Sequence, residues 1–255
     1  MIQNLFSLPI LKINLKKEIT NWIDLENIVN AEYKNIYVNS PLEINGGIST
    51  YSVNNKLHEN DQLKELNDIV LTYVKIYWKL FNIHHGLYPE INECWTNKHF
   101  YKSYTSLHSH ALYPTVCTFY LKKPFDSGNI IFLNPMEYIL QNIPFDTKLD
   151  KNIENIVFLD EGDLLIFPGW LKHKTEESFS HSERIVVSFN IKYTGNYLDS
   201  NTKFVDINNL KINDFFVDNN GNKVAENSTV ESLFNKICIQ EFLIQEMQKI
   251  IESKL

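Results

Sequence analysis

Cysteine is scarce in this chain. Cys94, Cys117 and Cys238 are the three in 255 residues. They lie far apart with no CxxC pair, which excludes a disulfide framework and points to a reducing, cytoplasmic setting. No apolar run approaches the ~20 residues of a membrane-spanning helix. The opening MIQNLFSLPI lacks a basic start and a long apolar stretch, so no secretory signal is expected. Positive charge is in deficit, with 24 Lys and Arg against 31 Asp and Glu and a net charge of −7. That argues against broad nucleic-acid binding, although not against a local basic groove. Internal repeats and low-complexity tails are also missing. With 44% hydrophobic and 22% charged residues, the composition is that of a globular protein. The length suits one domain with a sizeable core, or a domain plus an extension.

Periodicity divides the chain. Leu5 to Leu15 reads as a short strand interrupted at Pro9. Lys16 to about Tyr33 carries an approximate helical stripe of Ile19, Trp22, Ile23, Leu25, Ile28 and Val29. Asn39 to Asn54 is a turn-rich connector. A second helix, capped by Asp61, runs to about Phe81, and both helices are expected to cover the outside of a sheet. From Glu90 the period shortens to strands: Ile91–Asn97, Leu107–Ala111, Thr115–Lys122, Asn129–Leu133, Val157–Leu159, Leu164–Phe167, Leu171–Lys174 and Arg184–Tyr193. Glu137 to Asn155 reads as a loop or insertion. About eight short strands with frequent turns predict a mainly β, double-layered jelly roll with flanking helices. Past Tyr193 the composition turns polar. A hairpin around Asn219–Asn222, a capping box at Ser228–Glu231 and a last amphipathic helix from Val230 to Ile251 are expected. That helix docks on the parent chain or, alternatively, on a second subunit as a homodimer.

The chemistry centres on Ser106-Leu-His108-Ser-His110. On a strand, alternate side chains point the same way, so His108 and His110 can reach one point. A second cluster, Gly162-Asp-Leu-Leu-Ile-Phe-Pro168-Gly-Trp170-Leu-Lys-His173, delivers a third imidazole. Arg184 follows and opens a strand on which Val186, Ser188 and Asn190 share its face. Neutral imidazoles suit iron, copper, zinc and nickel. Arg184 offers a charged fork matched to a carboxylate. Three imidazoles and a cation thus read as a metal site beside an anion site. The bland alternatives are packed or solvated histidines and a surface salt bridge.

The ordered set Trp95-Thr-Asn97, His108-Ser-His110, Phe119-Tyr-Leu121, Ser127-Gly128, Gly162-Asp163, Phe167-Pro-Gly-Trp170-Leu-Lys-His173 and Arg184 to Asn190 resembles the iron(II)/2-oxoglutarate-dependent dioxygenase superfamily. It is most similar to the phage and marine-bacterial branch with a His-x-His motif, and is prolyl-hydroxylase-like. The resemblance implies a double-stranded β-helix, or cupin-like fold. It implies an oxygenase domain over 1–195, with a helical part at 1–90 and a jelly-roll core at 91–195, followed by a C-terminal extension at 196–255. The implied cofactors are Fe(II) and 2-oxoglutarate, with O2 and a primary substrate, such as a peptide or protein side chain, as the other partners. His108, His110 and His173 would hold the metal. Arg184, Ser188 four residues later and Tyr120 would hold the distal carboxylate of 2-oxoglutarate, and Asn97 is placed to hydrogen-bond it.

His110 departs from the superfamily's commoner carboxylate ligand. This leaves open a cupin-type three-His metalloenzyme needing no keto acid, a two-His site, and a non-catalytic jelly-roll binding module. One of Asp160, Glu161 and Asp163, which read as turn residues, is a candidate for the missing carboxylate. Trp170 is expected either to roof the pocket or to sit in the core. Tyr101 and Tyr104 are expected where substrate enters, and His99 and His181 read as solvated loop residues.

Overall fold

The computed structural model describes residues 8–34, 36, 44–81, 83, 86–135 and 153–195. By its contacts the chain divides into two units, Met1–Asn196 and Tyr197–Leu255, and the described residues all lie in the first. In chain order the strands are β1 (Leu11–Asn14), β2 (Ile44–Asn45), β3 (Ile48–Ser49), β4 (Leu87–His99), β5 (Tyr104–Thr105), β6 (Thr115–Lys122), β7 (Ile130–Leu133), β8 (Glu154–Val157), β9 (Asp163–Pro168), β10 (His173–Thr175) and β11 (Arg184–Gly195). Helix α1 spans Trp22–Ala31 and α2 spans Lys64–Lys79.

Six strands form one sheet in the order β1-β9-β6-β11-β4-β3, and β10-β7-β8 form a second. β2 and β5 pair separately. The pairings are antiparallel, and the architecture is the expected mainly β, double-stranded β-helix with flanking helices.

Alternation along β4, β6 and β11 separates two faces of the large sheet. On one, Cys94, Cys117, Phe119, Ile185, Val187 and Phe189 share a buried cluster with Leu25 and Val29 of α1 and with Leu66, Val70, Val74 and Tyr77 of α2. The α2 residues recur at helical spacing, so the helix has one apolar stripe and lays it on the sheet. On the other face Val116, Tyr120, Val186, Leu165 and Phe167 meet Ile130 and Phe132 of β7 and Leu171. This second cluster fills the space between the sheets. With both faces covered, β6 and β9 are buried almost throughout, which explains their unbroken apolar runs.

Local chemistry sets the helix starts. α1 begins at Trp22 rather than Lys16 because the chain first turns on Leu15, whose carbonyl accepts from the N–H groups of Glu18 and Ile19 at 2.9 and 3.1 Å. The Asn21 side chain then accepts from the Asp24 N–H, an N-cap arrangement. Asn60, not Asp61, caps the short turn Asp61–Leu63 that leads into α2: its side chain accepts from the Gln62 N–H at 3.0 Å, and α2 itself starts without a side-chain cap.

The strand expected over Leu107–Ala111 does not form. His108 and His173 exchange both backbone hydrogen bonds, at 3.0 and 2.9 Å, as an isolated bridge. His110 N–H instead donates to Gly169 O at 2.7 Å. One short segment therefore pairs first with β10 and then with the turn after β9, which requires it to bend. β8 starts at Glu154, inside the expected loop. The N-terminal part of the first expected strand, most of the 137–155 loop, and the hairpin, capping box and last helix beyond 196 lie outside the described residues. Among the described residues no helix is long and apolar enough to cross a membrane.

Gly169 is where the backbones come closest. A Cβ there would lie 2.1 Å from Tyr113 O and 2.6 Å from His110 O, and neither backbone atom can yield without moving the loop. Gly169→Ala is therefore expected to lose about 1–3 kcal/mol of stability through overpacking, read as a lower urea midpoint at unchanged slope. An unchanged midpoint would show that the loop relaxes freely.

Candidate active site

A cleft of about 290 Å3 opens between the sheets, and its lining includes all seven residues expected to hold the metal or 2-oxoglutarate: Asn97, His108, His110, Tyr120, His173, Arg184 and Ser188. Its floor is the inward face of three paired strands. Register sets Val186 opposite Asn97 and Tyr120, Ser188 opposite Trp95 and Thr118, and Asn190 opposite Glu93 and Val116.

At one end the three imidazoles converge. One ring nitrogen from each of His108, His110 and His173 lies within 4.8 Å of the others. The hydrogen-bond partners assign the tautomers, because a carbonyl oxygen can only accept. His108 Nδ1 faces Ser106 O at 2.8 Å and His173 Nδ1 faces Leu171 O at 2.9 Å, so both rings carry the proton at Nδ1 and keep Nε2 as the ligating nitrogen. His110 Nδ1 donates to Asn190 Oδ1 at 2.8 Å, and its ring stacks on Trp95. Burial, then the neighbouring His108, lowers the His110 pKa to about 4. The same causes hold His173 well below the usual imidazole value. Three imidazoles that each turn Nδ1–H to an acceptor and leave Nε2 towards an open cleft fit a divalent metal ion. Among the described residues no carboxylate joins them: Asp163 pairs with Lys12 and Asn14 and Glu161 pairs with Lys16, and none of Asp160, Glu161 and Asp163 lines the cleft.

At the other end Arg184 is fully buried. Nη1 donates to Ser127 O at 2.6 Å and Gly128 O at 3.0 Å, and Nη2 donates to Thr175 Oγ1 at 3.2 Å. Its Nε has no partner, and among the described residues no carboxylate lies within ion-pair distance of it. Glu176, the nearest acid to influence it, is held instead by Asn129 N–H and Nδ2 at 2.9 and 2.8 Å. A buried guanidinium without a counterion is costly, and an anionic ligand would complete it. Tyr120 lies beside it. Burial raises its pKa to about 12 against the pull of Arg184, so the hydroxyl stays a donor. Ser188 Oγ accepts from Asn97 Nδ2 at 3.4 Å, and Asn97 Oδ1 is buried without a partner. The Arg184 Nε–H and the Tyr120 and Ser188 hydroxyls are the donors that fit a bound carboxylate, whereas Asn97 Oδ1 can only accept.

The sequence reading missed several neighbours. His99, expected to be solvated, is 2% exposed, lines the cleft and faces Arg184 in register. Burial first and Arg184 second hold its pKa well below the usual value. His181 is exposed and stacks on Tyr101. Tyr101, Tyr104 and Trp170 do not line the cleft, whereas Tyr51 and Tyr113 do. Trp170 is 49% exposed, neither roof nor core. Arg184 is also distinguished by composition, as the single arginine among the 24 Lys and Arg residues of the chain.

The depressed imidazoles predict how stability varies with pH. Below the unfolded value of 6.5, His99, His110 and His173 take up protons in the unfolded chain while the folded rings remain neutral. Unfolding free energy therefore falls as pH drops from 6.5 towards about 4, by up to about 1.4 kcal/mol per pH unit for each ring. Urea midpoints of the metal-free protein near pH 7 and pH 5 check this. A midpoint insensitive to pH would mean that the rings are solvated.

Comparison with known proteins bears on the same segment. Residues 93–190 match the family described as "Putative 2OG-Fe(II) oxygenase". No curated protein matches the chain. Among solved structures it is similar to a 2OG-Fe(II) oxygenase family oxidoreductase from Burkholderia pseudomallei, at 16% identity over 46% of this chain and a TM-score of 0.35. The match spans only 49% of that protein's length. It is also similar to HygX from Streptomyces hygroscopicus with nickel and 2-oxoglutarate bound, at 13% identity over 77% of this chain and 89% of that one, TM-score 0.47. A third is a Pseudomonas putida prolyl-4-hydroxylase, at 14% identity over 74% and 95%, TM-score 0.48. Likenesses this distant carry neither substrate nor mechanism to the present protein. The family match thus covers residues 93–190, the segment that supplies the metal-site imidazoles and Arg184, and over that segment the chain is similar to the 2OG-Fe(II) oxygenases.

Proposed function

We propose that the protein is an Fe(II)- and 2-oxoglutarate-dependent dioxygenase that hydroxylates a peptide or protein side chain or another small substrate. The observation that carries this reading is the pairing, in one cleft, of three convergent imidazoles with a buried arginine that has no counterion among the described residues. In this reading His108, His110 and His173 hold the metal. Arg184 binds the distal carboxylate of 2-oxoglutarate, assisted by donors from Ser188 and Tyr120, and Asn97 supports the same ligand. Iron and 2-oxoglutarate would together supply the oxidising chemistry: O2 and the keto acid are consumed, succinate and CO2 leave, and one oxygen atom goes to the substrate.

The remaining work belongs to the chain itself. Ser127 and Gly128 hold the guanidinium through their carbonyls, so it is oriented before any ligand arrives. Trp95, Val116, Ile130 and Val186 give the cleft apolar walls, which exclude water and strengthen each polar contact inside. Tyr51, Ala111 and Leu112 present an uncharged mouth, which supports a neutral substrate group. The buried, unpaired thiols of Cys94 and Cys117 agree with a reducing, cytoplasmic location.

The all-His ligand set favours one competing reading, a cupin-type metalloenzyme that uses no keto acid. An anaerobic titration separates the two. Fe(II), then 2-oxoglutarate, is added to the metal-free protein while the visible charge-transfer absorption is followed. The band is expected in the wild type and is expected to vanish in His173→Ala. Arg184→Ala should keep metal binding but weaken 2-oxoglutarate at least about 100-fold, since removing one partner of a buried charge pair costs about 3–5 kcal/mol. Metal binding with no response to 2-oxoglutarate would favour the cupin-type reading, and a fully active Arg184→Ala would overturn the cosubstrate assignment.

A further inference from the structure

The three histidines are not held alike. His108 and His173 donate Nδ1–H to main-chain carbonyls, which no side-chain substitution removes and which cannot act as donors. His110 depends on a side chain, Asn190, whose amide presents an acceptor at one end and a donor at the other. Turned over, that amide would point its NH2 at His110 Nδ1 and stabilise the opposite tautomer, with the proton at Nε2. Something must hold it in the productive orientation.

We propose that Glu93 is that residue, a positioning residue which sets the tautomer and aim of His110 through Asn190. This rests on the reading of His110 as a metal ligand. Glu93 Oε2 accepts from Asn190 Nδ2 at 2.6 Å, and Asn190 Oδ1 accepts from His110 Nδ1 at 2.8 Å. A carboxylate can only accept, so the amide nitrogen must face Glu93 and the amide oxygen must face the imidazole. Inverting the amide would set Oδ1 against a carboxylate oxygen and leave two acceptors in contact. The orientation therefore passes along the chain from Glu93 to Asn190 to His110 Nδ1 and leaves Nε2 unprotonated.

Glu93 is itself anchored. Its Oε1 accepts from Asn55 Nδ2 at 3.1 Å and from the Tyr51 hydroxyl at 3.3 Å. Register places Glu93 opposite Asn190 on adjoining strands, and the pairing shifts immediately after, between Asn190 and Ile191. The irregularity coincides with the relay. The relay also gives this ligand set a carboxylate in an unexpected place: joined to the third histidine through an amide, rather than bonded to the metal.

The test reads the metal-free protein first. Side-chain 15N NMR of the wild type is expected to show His110 as the Nδ1–H tautomer. In Glu93→Gln the amide at 190 is no longer forced, so His110 should shift to a mixture of tautomers while His108 and His173 do not change. Co(II) affinity, used as an oxygen-stable probe, should fall by about 10–100-fold, the usual cost of losing such a supporting contact. Asn190→Asp alone sets two carboxylates against each other and should also weaken the metal. The double variant Glu93→Gln/Asn190→Asp restores the polarity: the new amide at 93 donates to the new carboxylate at 190, which accepts from His110. It should recover both the tautomer and most of the affinity, a rescue that a merely structural role for Glu93 would not produce. A Glu93→Gln protein with wild-type His110 nitrogen shifts and wild-type Co(II) affinity would overturn the proposal. If the tautomer responds as described but the wild type binds no metal, the functional reading fails and the relay stands.

Discussion

One strand carries the site. β11 pairs along its length with β4 and over its first half with β6, and both of its faces are buried from Arg184 to Ile191. Its outward residues Ile185, Val187 and Phe189 belong to the helix-covered core, and its inward residues Arg184, Val186, Ser188 and Asn190 line the cleft. A strand rises about 3.3 Å per residue, so Arg184 and Asn190 stand about 20 Å apart along it. The guanidinium marks one end of the cleft and the partner of His110 the other. A slip of one residue would exchange core for cleft along the whole strand. The apolar alternation that fixes the register therefore also fixes the distance between the cation and the imidazoles.

The electrostatics of the cleft are spare. Among the described residues that line it, Arg184 is the one permanent charge and none is a carboxylate, while burial holds His110 and His173 neutral. The choice of arginine there has a physical basis. The chain uses lysine at every other basic position. A lysine buried without a counterion would lose its proton, whereas a guanidinium keeps its charge and presents donors in a fixed fork. Both terminal nitrogens are committed, through three hydrogen bonds, to the Ser127–Gly128 turn and Thr175, so the group is oriented in advance. Gly128 adopts φ +79° with Glu176 O 2.7 Å from where a Cβ would be, so the Ser-Gly pair of the sequence pattern is a support for the arginine.

Much of the fold was legible. The strands from Thr115 to Lys122 and from Arg184 onward were readable because both faces are covered and the apolar runs are long. The two helices were readable because each has one stripe. The His pair failed as a strand argument although the two rings do meet. Their convergence comes from a backbone bridge to His173 and a bond to Gly169, contacts 65 and 59 residues away in sequence. Periodicity cannot report contacts of that range. His99 was misread for a related reason. Polar residues near a strand end look solvated until a partner strand, a Ser103 hydroxyl at 3.0 Å and Arg184 enclose them.

The sequence by itself determined which residue types were available: three imidazoles, one arginine, and an alternation that sends Arg184, Ser188 and Asn190 to one side of a strand. Those are local properties, written in side-chain chemistry and in the two-residue period of extended backbone. Only the tertiary structure decided which neighbours those residues would have. It set Asn190 between Glu93 and His110, buried Arg184 away from every described carboxylate, and turned Trp170, Tyr101 and Tyr104 away from the cleft. Such outcomes depend on register across strands and on loops closing over sheet ends, where residues far apart in the chain share one hydrogen bond.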